Sequence, residues 1–405
     1  MKWINRGHEL DAIGQECLKK KRLFVWGCGT YGEKMVKLLK WLGIDNELKI
    51  TMVDSNSIFY GHEFKGFNVI SPSVLFNELD SNTDILTISS ENVYTQLKEI
   101  YDNKPVNDAF ICYAEHLPNR DFLRRFLSVY LMYKLDKLLS PHTNYIITTR
   151  CNLNCKGCLN FNQYIQAPAD ESFESFKKHI DTVFTKFDWL ASMHFSGGEV
   201  MLSKELKNCL SYISERYGDR IFELFYVTNG TVIPDKELLE LMKRVNCGVL
   251  LDDYSHSVPL AKKNYPKVRQ LFDEYGIWYN VAKADYWYDL QISDKEDGNK
   301  LTESELLERF NECNVHYFQD FFDGKISGCC YIGYTNDMYP NKARIYTPDP
   351  TNDYIEIDNC SKMEILEYRS GFIPKGYFDL CGRCSEMHGR RSVHIPVAQQ
   401  LPRGE

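Results

Sequence analysis

The sequence of 405 residues lacks most of the features that assign a chain to a class at sight. It contains no apolar run of the ~18 residues that a membrane-spanning helix requires, and its first residues have no apolar core like that of a signal peptide. It has no basic tract, and its formal net charge is −8, which argues against nucleic acid as a partner. No internal repeat or low-complexity tract is present. These absences predict a cytoplasmic globular protein with neither a membrane nor a nucleic acid as its partner.

Cysteine, in contrast, is abundant. Fourteen cysteines in a chain without an export signal are expected to stay reduced, and the close spacing of some of them indicates a metal site rather than disulfide bonds. Five cysteines stand singly within or beside apolar segments, where a small buried side chain is expected: Cys17, Cys28, Cys112, Cys209 and Cys247. The others fall into two groups, one near residue 155 and one after residue 310.

The length predicts two or three domains. Residues 1–140 alternate between short apolar strands and helices with one apolar face, which is the pattern of a parallel sheet. The strands predicted there cover residues 23–26, 49–53, 85–88 and 109–112, and a helical pattern runs from 94 to 101. One helix is predicted from an apolar face formed by Met35, Leu38, Leu39 and Leu42.

Residues 141–310 begin a second series with the order βαβαβαβ, which fits part of a (β/α) barrel. The strands predicted in this region cover residues 145–149, 193–195, 222–227 and 249–251. After the first of them, a long helix is predicted from an apolar stripe formed by Phe173, Phe176, Ile180, Val183 and Phe187. In such a fold the chemistry lies at the carboxyl ends of the strands. In residues 311–405 the alternation of strands and helices ends, and the segment is rich in Cys, Gly, Asp and Tyr. A third, small domain is therefore expected there.

The first cysteine group directly follows the first strand of the second region. Cys151, Cys155 and Cys158 have the spacing C-x3-C-x2-C. Thiolates suit an iron–sulfur cluster, whereas a structural zinc ion needs four ligands, and this group offers three cysteines with no nearby histidine. Two further motifs end the next two strands: Gly197-Gly198-Glu199 and Thr228-Asn229-Gly230.

These three motifs, in this order and each after a strand, resemble the radical S-adenosylmethionine (SAM) superfamily over roughly residues 143–290. The resemblance implies an α/β fold with a partial (β/α)6 TIM-like barrel, and a [4Fe–4S] cluster on the three cysteines with SAM bound to its fourth iron. It also implies cofactor-binding roles for the residues at the strand ends: Gly197, Gly198, Glu199, Thr228 and Asn229. Gly157 departs from the family, which often has an aromatic residue before the third cysteine.

The expected contacts with SAM differ along these residues. The resemblance implies that the glycine carbonyls and Glu199 meet the cationic amino group of SAM. Asp252, at the end of the next strand, is a candidate for hydrogen bonding to the ribose or to the substrate, and an ordinary polar loop explains it equally well. His194 is expected to be a packed strand residue rather than a catalyst.

The second cysteine group resembles the auxiliary-cluster region of the SPASM/twitch branch of the same superfamily. Four cysteines match the shorter, twitch pattern, which implies a second [4Fe–4S] cluster: Cys313, Cys329, Cys381 and Cys384. A hairpin turn is expected at 323–325, between the first two of them. Cys330 could replace Cys329, and Cys360 is a weaker candidate because its neighbours have the pattern of a helix start. A structural zinc site on the same cysteines is the alternative.

The first region contains the pattern G-x-G-x-x-G. Gly27, Gly29 and Gly32 follow a strand and open a helix, and Asp54 ends the next strand. This is the context of a dinucleotide-binding turn, in which phosphate approaches a helix N-terminus and the carboxylate accepts from a ribose hydroxyl. The segment through residues 66–72 also resembles the Rossmann-like N-terminal domains of bacterial sugar acetyltransferases and related nucleotide-sugar enzymes, which implies a nucleotide or nucleotide sugar as ligand. A degenerate module used only for docking is the alternative.

Together the resemblances imply an oxidoreductase that cleaves SAM and removes hydrogen from a small-molecule substrate, with a flavodoxin or ferredoxin-type protein as reductant. The first region favours a carbohydrate or sugar nucleotide, and an auxiliary cluster favours dehydrogenation in polysaccharide or natural-product biosynthesis. One alternative is an epimerase, for which Cys330 and Cys360 are the candidate hydrogen donors. Another is a peptide-modifying maturase, and a third is a non-catalytic iron–sulfur sensor or scaffold.

Overall fold

The structure is a computed structural model, and it describes residues 10–80, 82–89, 111–112, 122–165, 167–289, 301–313, 319–322, 324–335, 347–373, 375–385 and 393–402. The chain divides into two compact units, Met1–Pro141 and His142–Glu405. The helical pattern from 94 to 101 lies outside the described residues, as does residue 323 of the expected hairpin turn. In the described ranges no helix is both long and apolar enough to cross a membrane.

The first unit combines short strands with helices. Its described strands are β1 (Arg22–Trp26), β2 (Lys49–Val53), β3 (Glu63–Phe64), β4 (Phe67–Ile70), β5 (Asp84–Ile88), β6 (Ile111–Cys112) and β7 (Leu139–Ser140). Its described helices are α1 (Leu10–Leu18), α2 (Thr30–Trp41), α3 (Pro72–Glu78) and α4 (Ser128–Leu135).

The first six of these described strands form one sheet in the order β3-β4-β2-β1-β5-β6. Every neighbouring pair is parallel except the hairpin of β3 with β4. The parallel sheet that the alternating pattern predicts is therefore confirmed, with the first strand near its middle. Helix α2 buries the predicted face through Met35, Leu38 and Leu39, and Trp26 of β1 packs with Leu75 of α3.

The second unit contains the longer series of elements. Its described strands are β8 (Thr143–Thr148), β9 (Trp189–Leu190), β10 (Met193–Gly197), β11 (Leu224–Thr228), β12 (Cys247–Asp252), β13 (Tyr279–Ala282), β14 (Trp287–Asp289), β15 (Gln319–Phe322), β16 (Lys325–Ser327), β17 (Tyr354–Glu356) and β18 (Val393–Ile395). Its described helices are α5 (Phe173–Lys186), α6 (Leu206–Tyr217), α7 (Lys236–Arg244), α8 (Pro259–Tyr275), α9 (Glu303–Glu312), α10 (Cys330–Thr335) and α11 (Lys362–Arg369).

Eight of these described strands form a single sheet in the order β13-β12-β11-β10-β8-β15-β16-β17. The strands from β13 to β8 in this order are parallel and alternate along the chain with α5, α6, α7 and α8. Strand β15 adds a sixth parallel strand beside β8, and the expected hairpin of β15 with β16 leads on to β17. Among the described strands the sheet stays open, as a partial barrel requires. The chain after residue 310 thus extends the barrel sheet, while β18 pairs with β14 outside it.

The parallel arrangement sets the position of the candidate site. Strands β8, β10, β11 and β12 end at residues 148, 197, 228 and 252. Because the carboxyl ends of neighbouring parallel strands lie at one edge of a sheet, the motifs that follow these strands are brought together. Helix α5 covers the sheet with the apolar stripe predicted from the sequence, and its Phe176, Ile180 and Val183 are buried.

Residues predicted to be ordinary packing residues are buried. Four of the single cysteines are buried: Cys17, Cys28, Cys209 and Cys247. The side chain of Cys112 lies outside the described part of the structure. His194 in β10 is also buried, its ring stacks on Phe225 with 5.2 Å between ring centroids, and burial lowers the pKa of His194 to about 4.

The buried ring of His194 predicts a specific acid sensitivity. The folded state disfavours the charged ring, so the stability that depends on the neutral ring is complete above pH 6.5 and is lost as the pH falls toward about 4. The parent protein should lose unfolding free energy between about pH 7 and about pH 4.5. We expect this loss to be roughly 2–3 kcal/mol smaller in His194→Phe, measured by urea denaturation at both pH values. His256→Phe, at an exposed site, is the control. Equal acid-induced losses in His194→Phe and the parent protein would contradict this assignment.

Candidate active site

The loop that carries Cys151, Cys155 and Cys158, here called the cluster loop, follows β8 and is anchored at its base. Thr148, the last residue of β8, donates to Asp170 at 2.7 Å and accepts from the backbone N–H of the residue two positions later at 3.0 Å. Cys155 is buried, and the other two cysteines are half-buried. The three thiols therefore lie at the carboxyl end of a barrel strand, where the chemistry of such folds is found.

The three thiols are shielded from water and influence one another. The pKa of Cys151 and of Cys155 is raised to about 12, chiefly by burial and in part by the neighbouring Cys158. Burial also raises the pKa of Cys158. Metal ligation requires thiolates, so binding of an iron–sulfur cluster at this loop must release protons.

N–H groups face the sulfur atoms of the cluster loop. The backbone N–H of Leu153 stabilises the thiolate of Cys151, and backbone N–H groups just after Cys158 do the same for that residue. The side-chain amide of Gln400 donates to Cys155 Sγ at 3.0 Å. Hydrogen bonds to sulfur are one of the means by which proteins tune iron–sulfur clusters. The donor set therefore fits a cluster held by three cysteines.

Glycines allow the end of β10 to lie against the base of the cluster loop. A Cβ at Gly197, where φ is +147°, would overlap the carbonyl oxygen of Thr148, and one at Gly198 would overlap that of Arg150. The backbone N–H of Gly198 donates to the Thr148 carbonyl at 3.0 Å, and that of Glu199 donates to the Arg150 carbonyl at 2.7 Å. The approach of two backbones thus requires both glycines, whatever their role toward SAM.

Glu199 joins the ends of β10 and β11. Its side chain is fully buried, and its Oε1 accepts from the Thr228 hydroxyl at 2.8 Å and from the Met201 N–H at 3.1 Å. Its Oε2 accepts from the backbone N–H of Asn229 at 2.8 Å. Burial raises the pKa of Glu199, whereas these donors favour its charged form. Glu199, Thr228 and Asn229, which were each expected to bind SAM, are therefore joined by hydrogen bonds. No sequence pattern indicated these bonds.

Asn229 connects β11 with the cluster loop. Its side-chain N–H group lies 3.9 Å from Cys151 Sγ and donates to the side-chain oxygen of Asn152 at 3.2 Å. Asn152 in turn donates to the hydroxyl of Thr231 at 2.7 Å. The motif that ends the third barrel strand is thus in contact with the motif that follows the first.

Asp252 ends β12 at the same edge of the sheet. Burial raises the pKa of Asp252 to about 7, and the hydroxyl of Tyr254, which donates to it at 2.8 Å, acts in the opposite direction. The charge on Asp252 raises the pKa of Cys155 and Cys158, so the carboxyl group lies near the cluster loop. Its role toward the ribose or the substrate stays a prediction.

Residues 145–273 match the family described as the radical SAM superfamily. This segment is a radical SAM domain. It contains the cluster loop and the ends of β8, β10, β11 and β12, which carry all three motifs. None of the curated proteins compared with the chain matches it.

Solved structures resemble the chain at low identity. BtrN in complex with AdoMet and 2-DOIA is 15% identical, with a TM-score of 0.38, over 61% of this chain and 93% of that chain. Native anSMEcpe with bound AdoMet is 14% identical, with a TM-score of 0.40, over 57% and 83%. SuiB from Streptococcus suis, bound to the precursor peptide SuiA, is 13% identical, with a TM-score of 0.28, over 64% and 76%. Likenesses this distant identify no substrate for the chain.

A segment that the sequence did not mark covers the cluster loop of the radical SAM domain. Residues 393–402, here called the C-terminal strap, run alongside this loop, and the backbone N–H of Lys156 donates to the carbonyl oxygen of Gln399 at 2.7 Å. A Cβ at Gly157, where φ is +63°, would overlap Ile395 of the strap. The glycine that precedes the third cysteine is therefore required by the strap. No motif predicted this contact, because its partners lie far apart in the sequence.

The second cysteine group comes together around the start of α10. Burial raises the pKa of Cys329 well above its ordinary value, and Cys330, Cys313 and Cys381 raise it further. The pKa of Cys381 is also raised, first by burial and then by Cys313 and Cys384. The four cysteines that match the twitch pattern are therefore neighbours, and Cys330 lies among them.

Arg309 of α9 holds the turn that carries Cys381 and Cys384. Its Nη1 donates to the carbonyl oxygen of Cys381 at 2.8 Å and to that of Cys384 at 2.6 Å. Within the described ranges, no three or more His, Cys, Asp or Glu side chains are spaced to hold a single metal ion. The ligand of this cysteine group stays a prediction, and the two alternatives are an auxiliary iron–sulfur cluster and a zinc ion.

The two cysteines proposed as hydrogen donors differ in their surroundings. Burial raises the pKa of Cys330, and the next cause is the charge of Asp320. Cys360 lies elsewhere, before Ser361, whose capping box with Glu364 begins α11, so the helix start predicted there is confirmed. The charged groups that act on Cys360 are glutamate and lysine side chains rather than other cysteines.

In the first unit, Asp54 holds the glycine-rich turn after β1. Its Oδ2 accepts from the backbone N–H of Cys28 at 2.7 Å, and its Oδ1 accepts from that of Asn56 at 2.8 Å. The carboxylate expected to accept from a ribose hydroxyl thus also binds backbone groups of the chain, and its role toward a ribose stays a prediction.

The three glycines of this turn differ in what surrounds them. A Cβ at Gly32 would overlap the carbonyl oxygen of Gly27, and Gly27 itself has a φ of +119°. A Cβ at Gly29 would meet no atom of the protein within 4 Å. Packing of the turn therefore requires Gly27 and Gly32, whereas only a ligand would require a glycine at residue 29.

Proposed function

We propose that the radical SAM domain holds a [4Fe–4S] cluster on Cys151, Cys155 and Cys158 and cleaves SAM reductively. When bound, the cluster supplies the electron that splits SAM, and the 5′-deoxyadenosyl radical that results takes a hydrogen atom from the substrate. The observation that carries the proposal is the donor set of three interacting thiols and the N–H groups that face them at the end of β8. A flavodoxin or ferredoxin-type protein of the cytoplasm is the proposed reductant.

The surrounding residues hold the cluster loop against the strand ends. Glu199 keeps β10 and β11 together, and Asn229 links β11 to Cys151. The buried position of Cys155 and Glu199 keeps water out of this edge of the sheet. The residues proposed to contact SAM lie along the same edge: Gly197, Gly198, Glu199, Thr228, Asn229 and Asp252.

The test is anaerobic reconstitution with iron and sulfide, followed by incubation with SAM and dithionite. We expect a brown protein that forms 5′-deoxyadenosine, detected by mass spectrometry. A protein that takes up iron but never cleaves SAM would be the non-catalytic sensor or scaffold. A protein that takes up no iron would overturn the proposal.

The proposed reaction is the dehydrogenation of a carbohydrate or sugar nucleotide in polysaccharide or natural-product biosynthesis. Its support is the second cysteine group, which belongs to the same compact unit as the radical SAM domain. After losing a hydrogen atom, a hydroxyl carbon must lose one more electron and one proton to become a carbonyl. An auxiliary cluster would accept that electron. A peptide-modifying maturase would use the same cofactors on a different substrate.

An epimerase is the second candidate, and Cys330 is the observation that favours it. This half-buried thiol lies near Cys313, Cys329 and Cys384, with Asp320 among the charges that act on it. An epimerase needs such a thiol to return a hydrogen atom to the opposite face of the substrate, and one electron from the proposed reductant with one proton would then restore the thiol. Incubation with sugar nucleotides in deuterium oxide separates the reactions, since dehydrogenation lowers the product mass whereas epimerisation adds deuterium from the thiol. We expect Cys330→Ala to abolish only the second outcome.

We further propose that the first unit is a Rossmann-like domain that binds a nucleotide or nucleotide sugar. Its parallel strands lie in the order β4-β2-β1-β5-β6, which is the strand order of dinucleotide-binding folds. Gly29 is the N-cap residue of α2 and has no side chain to cap the helix, so the N–H groups at this end favour an anion. Asp54 would act by holding the turn in place.

Gly29→Val is expected to weaken nucleotide binding tenfold or more, because loss of even one charge-assisted hydrogen bond to phosphate costs about 1.5–3 kcal/mol. The backbone at Gly29 has φ −90° and ψ −164°, which valine adopts without strain. Calorimetry of the full chain against nucleotide sugars, coenzyme A and nicotinamide dinucleotides measures the effect, and Asp54→Ala should also weaken binding.

Two controls separate the binding site from the fold. The melting temperature of Gly29→Val should match that of the parent protein, since the added side chain starts in open space. SAM cleavage without substrate should also be unchanged. If the parent protein binds none of these ligands, the docking-module alternative holds, and the main reason for a carbohydrate substrate is lost.

A further inference from the structure

The C-terminal strap pairs with the cluster loop as a short extra strand. Cys155 and Gln400 form an antiparallel bridge, and the backbone N–H of Leu401 donates to the carbonyl oxygen of Asn154 at 2.7 Å. Val397 of the strap is buried in the same apolar cluster as Cys155. The strap therefore determines what faces this cysteine from outside the radical SAM domain.

The side-chain amide of Gln400 has a single orientation that satisfies its partners. Its oxygen accepts from the backbone N–H of Asn154 at 2.9 Å, so its nitrogen faces the other way. That nitrogen has two hydrogens, and it donates to the carbonyl oxygen of Ala398 at 2.8 Å and to Cys155 Sγ at 3.0 Å. If the amide were flipped, its NH₂ group would face the backbone N–H of Asn154 and its oxygen would face the carbonyl oxygen of Ala398. Neither pair could then form a hydrogen bond. The loop and the strap together thus direct an N–H group at the sulfur.

We propose that Gln400 is a positioning residue whose N–H bond to Cys155 Sγ raises the reduction potential of the cluster. This inference rests on the proposed cluster at the three cysteines of the cluster loop. Reduction adds negative charge to the cluster and its sulfur ligands, and an N–H donor stabilises the form with more charge. Because Cys155 is only 7% exposed, water supplies few competing donors, so one amide has a large share in the solvation of this sulfur.

The test is a series of side chains at residue 400 in the full-length reconstituted protein. Redox titration followed by electron paramagnetic resonance gives the potential, and the signal that changes on adding SAM identifies the cluster of the radical SAM domain. We expect the potential to fall in the order Gln400→Lys, parent, Gln400→Leu, Gln400→Glu. At the parent midpoint, the ratio of reduced to oxidised cluster in Gln400→Leu should be about tenfold lower, as for loss of one hydrogen bond to a charged group.

Gln399→Leu is the matched control. Gln399 is exposed like Gln400 and contacts the cluster loop through its backbone carbonyl, and no described hydrogen bond joins its side chain to the loop, so its replacement should leave the potential unchanged. A strap that acts only by packing predicts the parent potential in the uncharged Gln400→Leu variant, and that result would overturn the inference while leaving the proposed function intact.

Iron content decides the remaining outcomes. If only Gln400→Lys and the parent hold the iron of the radical SAM domain, beyond that kept by the second cysteine group, the N–H donor is needed to keep the cluster, which supports the positioning role. If all three variants at residue 400 lose iron equally, the role is one of packing and the inference fails. A parent protein without a cluster overturns the proposed function and this inference with it.

Discussion

Replacing Cys151, Cys155 and Cys158 together by alanine is expected to reduce 5′-deoxyadenosine formation to the level of a protein-free control. The reason is that the N–H groups around these residues can stabilise thiolates but cannot themselves hold iron. Anaerobic incubation with SAM and dithionite, followed by mass spectrometry, measures the loss. SAM cleavage at the original rate in this variant would refute the assignment of the cluster to the cluster loop.

A matched control comes from a cysteine outside both groups. Cys209 in α6 is fully buried and packs in the core of the same unit, so Cys209→Ala removes a thiol and leaves both cysteine groups intact. The small cavity should cost about 1 kcal/mol of unfolding free energy and leave SAM cleavage at the parent rate. Loss of cleavage in this control as well would mean that the triple variant reports a folding defect.

The same triple variant is expected to keep about half of the iron. An intact chain with two cubane clusters holds roughly eight irons, and the second group would retain roughly four. The structure supports this expectation because the twitch cysteines lie near one another and far along the chain from the cluster loop, and Arg309 holds the turn with the last two of them. Iron and zinc are measured together by mass spectrometry of the purified protein.

The reciprocal variant tests the role of the second cluster. Cys381→Ala combined with Cys384→Ala should lose the other half of the iron, still cleave SAM, and fail to form an oxidised product. If the triple variant of the cluster loop instead holds zinc and no iron, the second group is a structural site. The electron-acceptor argument for dehydrogenation would then fail, and epimerisation with Cys330 would become the better proposal.

Local patterns predicted much of the framework. The parallel sheet of the first unit, the apolar faces of α2 and α5, and the buried ring of His194 all follow from periodicity and burial preference, and each is confirmed. The helix start after Cys360 could also be predicted from the sequence, because a capping box is a contact between residues that are close in sequence.

The hydrogen-bond partners of the motif side chains within the chain did not follow from the sequence. Asp54 has the position of a ribose acceptor, yet its oxygens accept from backbone N–H groups of the neighbouring turns. Glu199 has the position of a SAM ligand, yet it is bound to Thr228 and Asn229. A motif specifies which residue types stand where, but hydrogen-bond partners depend on the distances between elements.

The sequence by itself determined the radical SAM domain, because the cysteine spacing, the glycines and the order of the strands are local features that can be recognised along the chain. Only the tertiary structure decided that Gln400 reaches Cys155, that Gly157 makes room for Ile395, and that five cysteines surround the start of α10. The physical reason is the same in each case. A contact between residues hundreds of positions apart depends on how strands and loops pack, and no periodicity along the chain encodes it.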